Sequence, residues 1–266
     1  MSRSTPESDV RPSYSTIPLT VKFVKIHAAA RPAEHAMPLF LYWNPNVQPI
    51  NEAFQKGLSS SPWANALTYT AHEAHEYFTR PGYDELENGW SITENGTLMI
   101  AVRSEIPQVT GQAYDWWFSW HSVETARYKL WNPVSHQYSW REPQSRNWTG
   151  LSYQDRYINT TSYVDEYVGS NAAKLSIGFI EPESVGFDQS RWPELNIETI
   201  VVGQVLIGNY TETAWDRESY SMHQVRRMPN GYRELRSRFW IAKSNHGSAQ
   251  LGHDLAVHCN IEMTRK

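Results

Sequence analysis

YSMHQVRRMPNGYRELRSRFWIA, Tyr220–Ala242, decides the fold. Two runs of strand character flank Pro229-Asn230-Gly231, and such a turn joins antiparallel strands. An earlier stretch, GWSITENGTLMIAVRS (Gly89–Ser104), repeats the pattern around Asn95-Gly96. Strand-like runs also cover 157–168, 174–181 and 196–207, and Leu19, Val21 and Phe23 alternate with polar residues as a short strand does. Helical patterns occupy 48–58, 62–79 and 112–131, and a last helix is predicted over 249–263. Residues 1–16 are Ser/Pro-rich and read as a disordered tail. The order is a small, mainly helical part over 17–82, then antiparallel strands and a terminal helix over 83–266. That is α+β: a curved sheet that a long helix covers.

Composition narrows the function. The chain has 266 residues, enough for a core without disulfides, and a net charge of −4, which argues against nucleic-acid binding. No run of 18 apolar residues crosses a membrane, and the polar start MSRSTPESDVRPSYST lacks the apolar stretch of a signal peptide. A cytoplasmic protein is therefore expected, and the single Cys259 fits a reducing compartment. Glycosylation-type triplets at Asn95, Asn147, Asn159 and Asn209 then read as incidental. The 12 Trp and 15 Tyr build cores and also line pockets for flat polar ligands.

Nucleophile-elbow, Walker and dinucleotide-binding motifs are missing from the sequence. Metal-ligand chemistry is better supported. Leu251, Leu255, His258 and Glu262 form one stripe of the terminal helix, and its apolar half faces a core. That places an imidazole and a carboxylate where water is scarce, and a buried carboxylate needs a cation or several donors. The alternative is a frayed helix end with both residues in water. In the strand 157–168, Glu166 falls between Val164 and Val168 on the more apolar face, while Asp165 falls on the other. A strand slipped by one residue would reverse that. His121 closes the aromatic run Asp115–His121 and reads either as a ligand or as a packed core histidine. His72-Glu73-Ala74-His75-Glu76 lacks the H-E-x-x-H spacing of a metalloprotease helix.

Four blocks, in order, carry a resemblance: YDWWFSWHSVETARYKLWNPVSH (Tyr114–His136), VDEYVG (Val164–Gly169), RSRFW (Arg236–Trp240) and HCNIEM (His258–Met263). Together they are similar to the signature of 2,4-diacetylphloroglucinol hydrolases and phloretin hydrolases. The resemblance implies a Bet v1-like domain, a curved antiparallel sheet gripping a long C-terminal helix, with a smaller helical N-terminal part. It also implies zinc held by two His and two Glu, carried here onto His121, Glu166, His258 and Glu262. His223 matches a pocket histidine that contacts a phenolic oxygen. Catalytic roles are expected for His223, Tyr114 and Glu262; four protein ligands require either five-coordination or the release of one carboxylate, with Glu262 the candidate. Trp116, Trp120, Trp131 and His223 are the expected substrate pocket. The implied reaction hydrolyses the carbon–carbon bond between an aromatic ring and an acyl group of a small phenolic ketone. The alternative is a cyclase, dehydratase or isomerase of the same fold on a polyketide-like phenolic, and a ligand carrier is a third reading. A homodimer stays open as the assembly, and the loop within Arg141–Tyr157 is longer than the family pattern.

Overall fold

The second hairpin forms as its turn chemistry requires. In the computed structural model, which describes residues 30–208, 219–243 and 248–264, Gly231 takes a φ of 82° between paired strands. The expected tail, the strand around Leu19, Val21 and Phe23, and Asn209 lie outside the described residues. Among the described residues, eight strands make one antiparallel sheet: β1 (Gly89–Ile92), β2 (Leu98–Glu105), β3 (His136–Arg141), β4 (Thr161–Val168), β5 (Asn171–Ile180), β6 (Ile197–Ile207), β7 (Tyr220–Arg227) and β8 (Arg233–Ile241). Their order is β1-β2-β8-β7-β6-β5-β4-β3. The helices with labels below are α1 (Glu52–Ser59), α2 (Ala74–Phe78), α3 (Gly111–His121), α4 (Thr125–Trp131) and α5 (Ala249–Met263).

The sheet curls around α5. That helix touches β1 and β2 near one edge and β4 near the other. With strands about 4.8 Å apart, a flat sheet would hold β2 and β4 about 24 Å from each other. A helix is only about 10–12 Å wide, so the sheet must bend to meet it on both sides. Gly252 allows the closest approach: a Cβ there would stand 2.8 Å from the Trp90 ring of β1. The helix starts where the Ser248 side chain accepts from the Leu251 amide. Its span matches the predicted 249–263.

Period-two alternation gives the sheet two apolar faces. Leu98, Ile100, Val102, Val201, Val225, Leu235 and Ile241 face α3 and α5. Met99, Ile200, Val202, Met222 and Trp240 face the other way, onto Tyr69, Ala74, Phe78 and the stretch carrying Val185, Phe187 and Trp192. With both faces covered, the strands carry few exposed apolar side chains.

Two predicted helices are shorter than the patterns suggested. The pattern over 62–79 breaks into the 3-10 turns Asn65–Leu67 and Ala71–Glu73 before α2. Thr70 restarts the helix, because its amide and hydroxyl both bond the Glu73 carboxylate at 2.8 Å. The pattern over 112–131 divides into α3 and α4. Side chains terminate α3: His121 Nδ1 donates to the Trp117 carbonyl at 2.6 Å, and the Ser122 hydroxyl to that of Phe118 at 3.0 Å. The strand read from 157 begins at Thr161, after Asn159 at a φ of 59°. No helix among the described residues is long and apolar enough to cross a membrane.

Candidate metal centre

Two strands and one helix bring four ligand-type side chains together. His136 on β3 and Glu166 on β4 are direct partners in the register, so their side chains sit side by side on one face. Glu166 points inward with Ser162, Val164 and Val168, as alternation predicts. His258 and Glu262 are one turn apart on α5, which packs against β4. One ligand atom from each of the four lies within 4.8 Å of the others, and all four residues are buried.

The imidazoles are oriented for coordination. His136 Nδ1 lies 2.9 Å from the Tyr128 carbonyl, and His258 Nδ1 lies 3.1 Å from the Tyr167 carbonyl and 3.2 Å from the Ser135 hydroxyl. A carbonyl only accepts, so each Nδ1 carries a hydrogen and each ring turns its Nε2 toward the carboxylates. His136 Nε2 stands 2.5 Å from Glu262 Oε1 and 3.6 Å from Glu166 Oε2. His258 Nε2 stands 3.0 Å from Glu262 Oε1 and 3.7 Å from Glu166 Oε1. Despite its proximity to Glu262, the buried His136 Nε2 has no hydrogen bond of acceptable geometry. Two ring nitrogens and two carboxylates that converge in the interior make a place for a cation. Two carboxylates and two neutral imidazoles balance and suit a divalent ion.

In the metal-free protein a proton takes that role. Burial alone lowers the His258 pKa, but the Glu262 and Glu166 carboxylates outweigh it and lift it to about 9. Burial would raise Glu262, yet His258 and His136 hold its carboxyl far below the usual range. The α4 helix braces the group. The Tyr128 hydroxyl donates to Glu166 Oε2, and its ring lies on His136 at 3.6 Å between centroids and 3° between planes. The Trp131 indole donates to the Glu262 carbonyl at 3.2 Å.

The expected residues divide three ways. Glu166, His258 and Glu262 meet, but His121 does not join them; His136, from the far end of the same sequence block, completes the cluster. His121 is occupied elsewhere, its Nδ1 on the Trp117 carbonyl, and burial drives its pKa to about 3. Tyr114 and His223 lie nearby in the interior, their rings 6.4 Å apart. Burial first, then Cys259, Glu262 and Asp115, push the Tyr114 phenol well above its ordinary pKa. Burial lowers His223 to about 4, and its Nδ1 is 2.9 Å from the Ser237 hydroxyl. Trp131 touches the site, whereas Trp116 is 38 % exposed and stacks on Trp120 at 5.3 Å. His72 and His75 contribute nothing to the cluster. Sequence reading missed His136 and Tyr128. The signal for His136 was weak, because a bulge between His136 and Tyr138 breaks the alternation of β3.

A curved sheet closed on a helix, with a buried His/Glu quartet between them, defines an α+β protein able to hold a metal ion in its interior. The chain belongs to the DAPG hydrolase family: the model of the DAPG hydrolase PhiG domain matches residues 69–265. It is 26 % identical over 231 residues to the 2,4-diacetylphloroglucinol hydrolase of Pseudomonas protegens, covering 86 % of this chain and 72 % of that protein. The phloretin hydrolase of Eubacterium ramulus is 28 % identical over 160 residues, 59 % of this chain and 58 % of that one. Among solved structures, the Panax ginseng major latex-like protein 151 aligns with a TM-score of 0.36 at 11 % identity, covering 62 % of this chain and 95 % of that one.

Proposed function

We propose that this chain is a zinc-dependent hydrolase that cleaves the aryl–acyl carbon–carbon bond of an acylphloroglucinol-like phenolic ketone. The products are a carboxylic acid and the deacylated phenol. The observation that carries the reading is the buried convergence of His136, Glu166, His258 and Glu262, in a chain whose relatives are named for hydrolysis of such phenolics. Coordination by both Nε2 atoms and both carboxylates is the arrangement the second-neighbour hydrogen bonds prepare.

Zinc in such a site supplies Lewis acidity, polarising a carbonyl oxygen and lowering the pKa of water. The chain's own groups supply the rest. Water contributes its hydroxyl to the acyl carbon and its hydrogen to the ring carbon, and the bond between those carbons breaks. Protonating the ring carbon first makes the departing group a phenolate-type anion, far more stable than an aryl anion. Tyr114, held protonated, donates a hydrogen bond to a ring oxygen. His223, held neutral with Nδ1 toward Ser237, meets a phenolic oxygen through its other nitrogen and serves in proton transfer. Trp131 and Phe118, packed edge-on at 5.5 Å, offer aromatic surface for the flat substrate.

The experiment is an assay with acylphloroglucinols in water enriched in oxygen-18. The reading expects one labelled oxygen in the released carboxylic acid and one equivalent of zinc in the purified protein. Conversion without incorporation of water would instead establish the cyclase or isomerase alternative.

A further inference from the structure

Four flat rings stack in series from α3 to the metal centre. Trp117 lies on His121 at 5.2 Å and 17°, His121 on Tyr128 at 6.0 Å and 18°, and Tyr128 on His136 at 3.6 Å and 3°. His121 is fixed in its own plane, because its Nδ1–H is tied to the Trp117 carbonyl at 2.6 Å and the Trp131 ring meets it at 4.5 Å and 67°. The phenol thus lies between the two imidazoles, nearly parallel to both. Its hydroxyl donates to Glu166, a carboxylate of the quartet.

We propose that His121 is a positioning residue: an anchored flat plate that presses Tyr128 onto His136 and so holds the Tyr128 hydroxyl on Glu166. The inference rests on the metal-dependent reading above. A hydrogen bond to a ligand carboxylate sets its orientation and donor strength, and losing such support commonly costs about 10- to 100-fold in affinity or activity. An aliphatic side chain of similar volume fills the space but offers no flat face. The Tyr128 ring then tilts and its hydroxyl leaves Glu166.

The test compares His121→Leu and His121→Phe with wild type, each loaded with cobalt(II). Three measurements are made: bound metal per chain, the visible d–d absorption, and kcat and KM for an acylphloroglucinol. Thermal unfolding confirms that each variant is folded. The proposal expects both variants to retain one equivalent of cobalt. His121→Leu should shift the d–d bands and lower kcat about 10-fold or more. His121→Phe, which keeps the flat face, should restore the wild-type bands and kcat to within about threefold. Wild-type bands and kcat in His121→Leu would overturn the proposal, and so would a His121→Phe as impaired as His121→Leu. Loss of the metal in both variants would show His121 to be a ligand and overturn it too. A wild-type protein that binds no cobalt and hydrolyses no acylphloroglucinol defeats the functional reading, and this inference with it.

Discussion

Metal-stripped protein should lose stability as pH rises from 6.5 to about 9, and bound metal should abolish that loss. The perturbed group is His258, whose pKa is about 9 in the fold against an ordinary 6.5. Between those values the folded state binds a proton that the unfolded chain has released. The stabilisation is therefore complete below pH 6.5 and disappears as pH passes 9. Each pH unit in the window costs about 1.4 kcal/mol, so the whole loss is on the order of 3 kcal/mol. Glu262 adds no slope there, because its carboxyl, held far below its ordinary range, stays ionised. With zinc bound, the His258 Nε2 lone pair is engaged and the proton is displaced. Stability should then be flat with pH, and apparent metal affinity should climb about tenfold per unit up to pH 9. The assay is urea unfolding followed by tryptophan fluorescence from pH 6 to 9.5, with chelator or with excess zinc. His258→Asn should remove the slope of the stripped protein. A stripped wild type whose stability is level across the window would refute the reasoning, as would a His258→Asn variant that keeps the slope.

Other outcomes follow from the same geometry. His136→Ala should purify with little zinc and no hydrolytic activity, whereas His121→Ala should keep its metal; elemental analysis of both decides. Tyr128→Phe, which loses only the hydroxyl on Glu166, should lower kcat by about 10- to 100-fold while leaving the unfolding temperature close to wild type. Asp115 is buried, and burial outweighs its bonds from Tyr157 at 2.7 Å and Thr199 at 2.8 Å to lift its pKa to about 6. An acid with a raised folded pKa makes stability fall as pH rises from 3.8 to 6, so Asp115→Asn should flatten that part of the profile in chemical unfolding. Lys129, only 3 % exposed, pairs with Glu34 at 2.8 Å, and Glu34→Gln should cost on the order of 3 kcal/mol in the same assay by stranding the ammonium.

Much of this architecture is legible in the chain because its signals are local. The Gly231 turn, the α5 stripe and the inward face of Glu166 each follow from spacing within a few residues. Joining Glu166 to His258 and Glu262 needed more than spacing, since the contact of α5 with β4 is a property of the curled sheet. The resemblance to the hydrolase family supplied that connection. The Tyr114–His136 block holds two histidines, and it is the last one that sits opposite Glu166, not the first. Nothing local marks β3: it spans six residues and carries a bulge, and its pairing reaches across to a strand that begins twenty residues after it ends. The divided helices fail for a different reason. Periodicity sees the apolar face but not the side chains that end a helix, such as His121 and Ser122 on the last carbonyls of α3.

The most direct measurement is an anomalous difference map, recorded at the zinc absorption edge from a crystal of the zinc-loaded protein. The account predicts one peak about 2.0–2.2 Å from the Nε2 atoms of His136 and His258 and from a carboxylate oxygen of each glutamate. A peak beside His121 instead, or an empty space between these four side chains in an enzyme that still hydrolyses acylphloroglucinols, would contradict it.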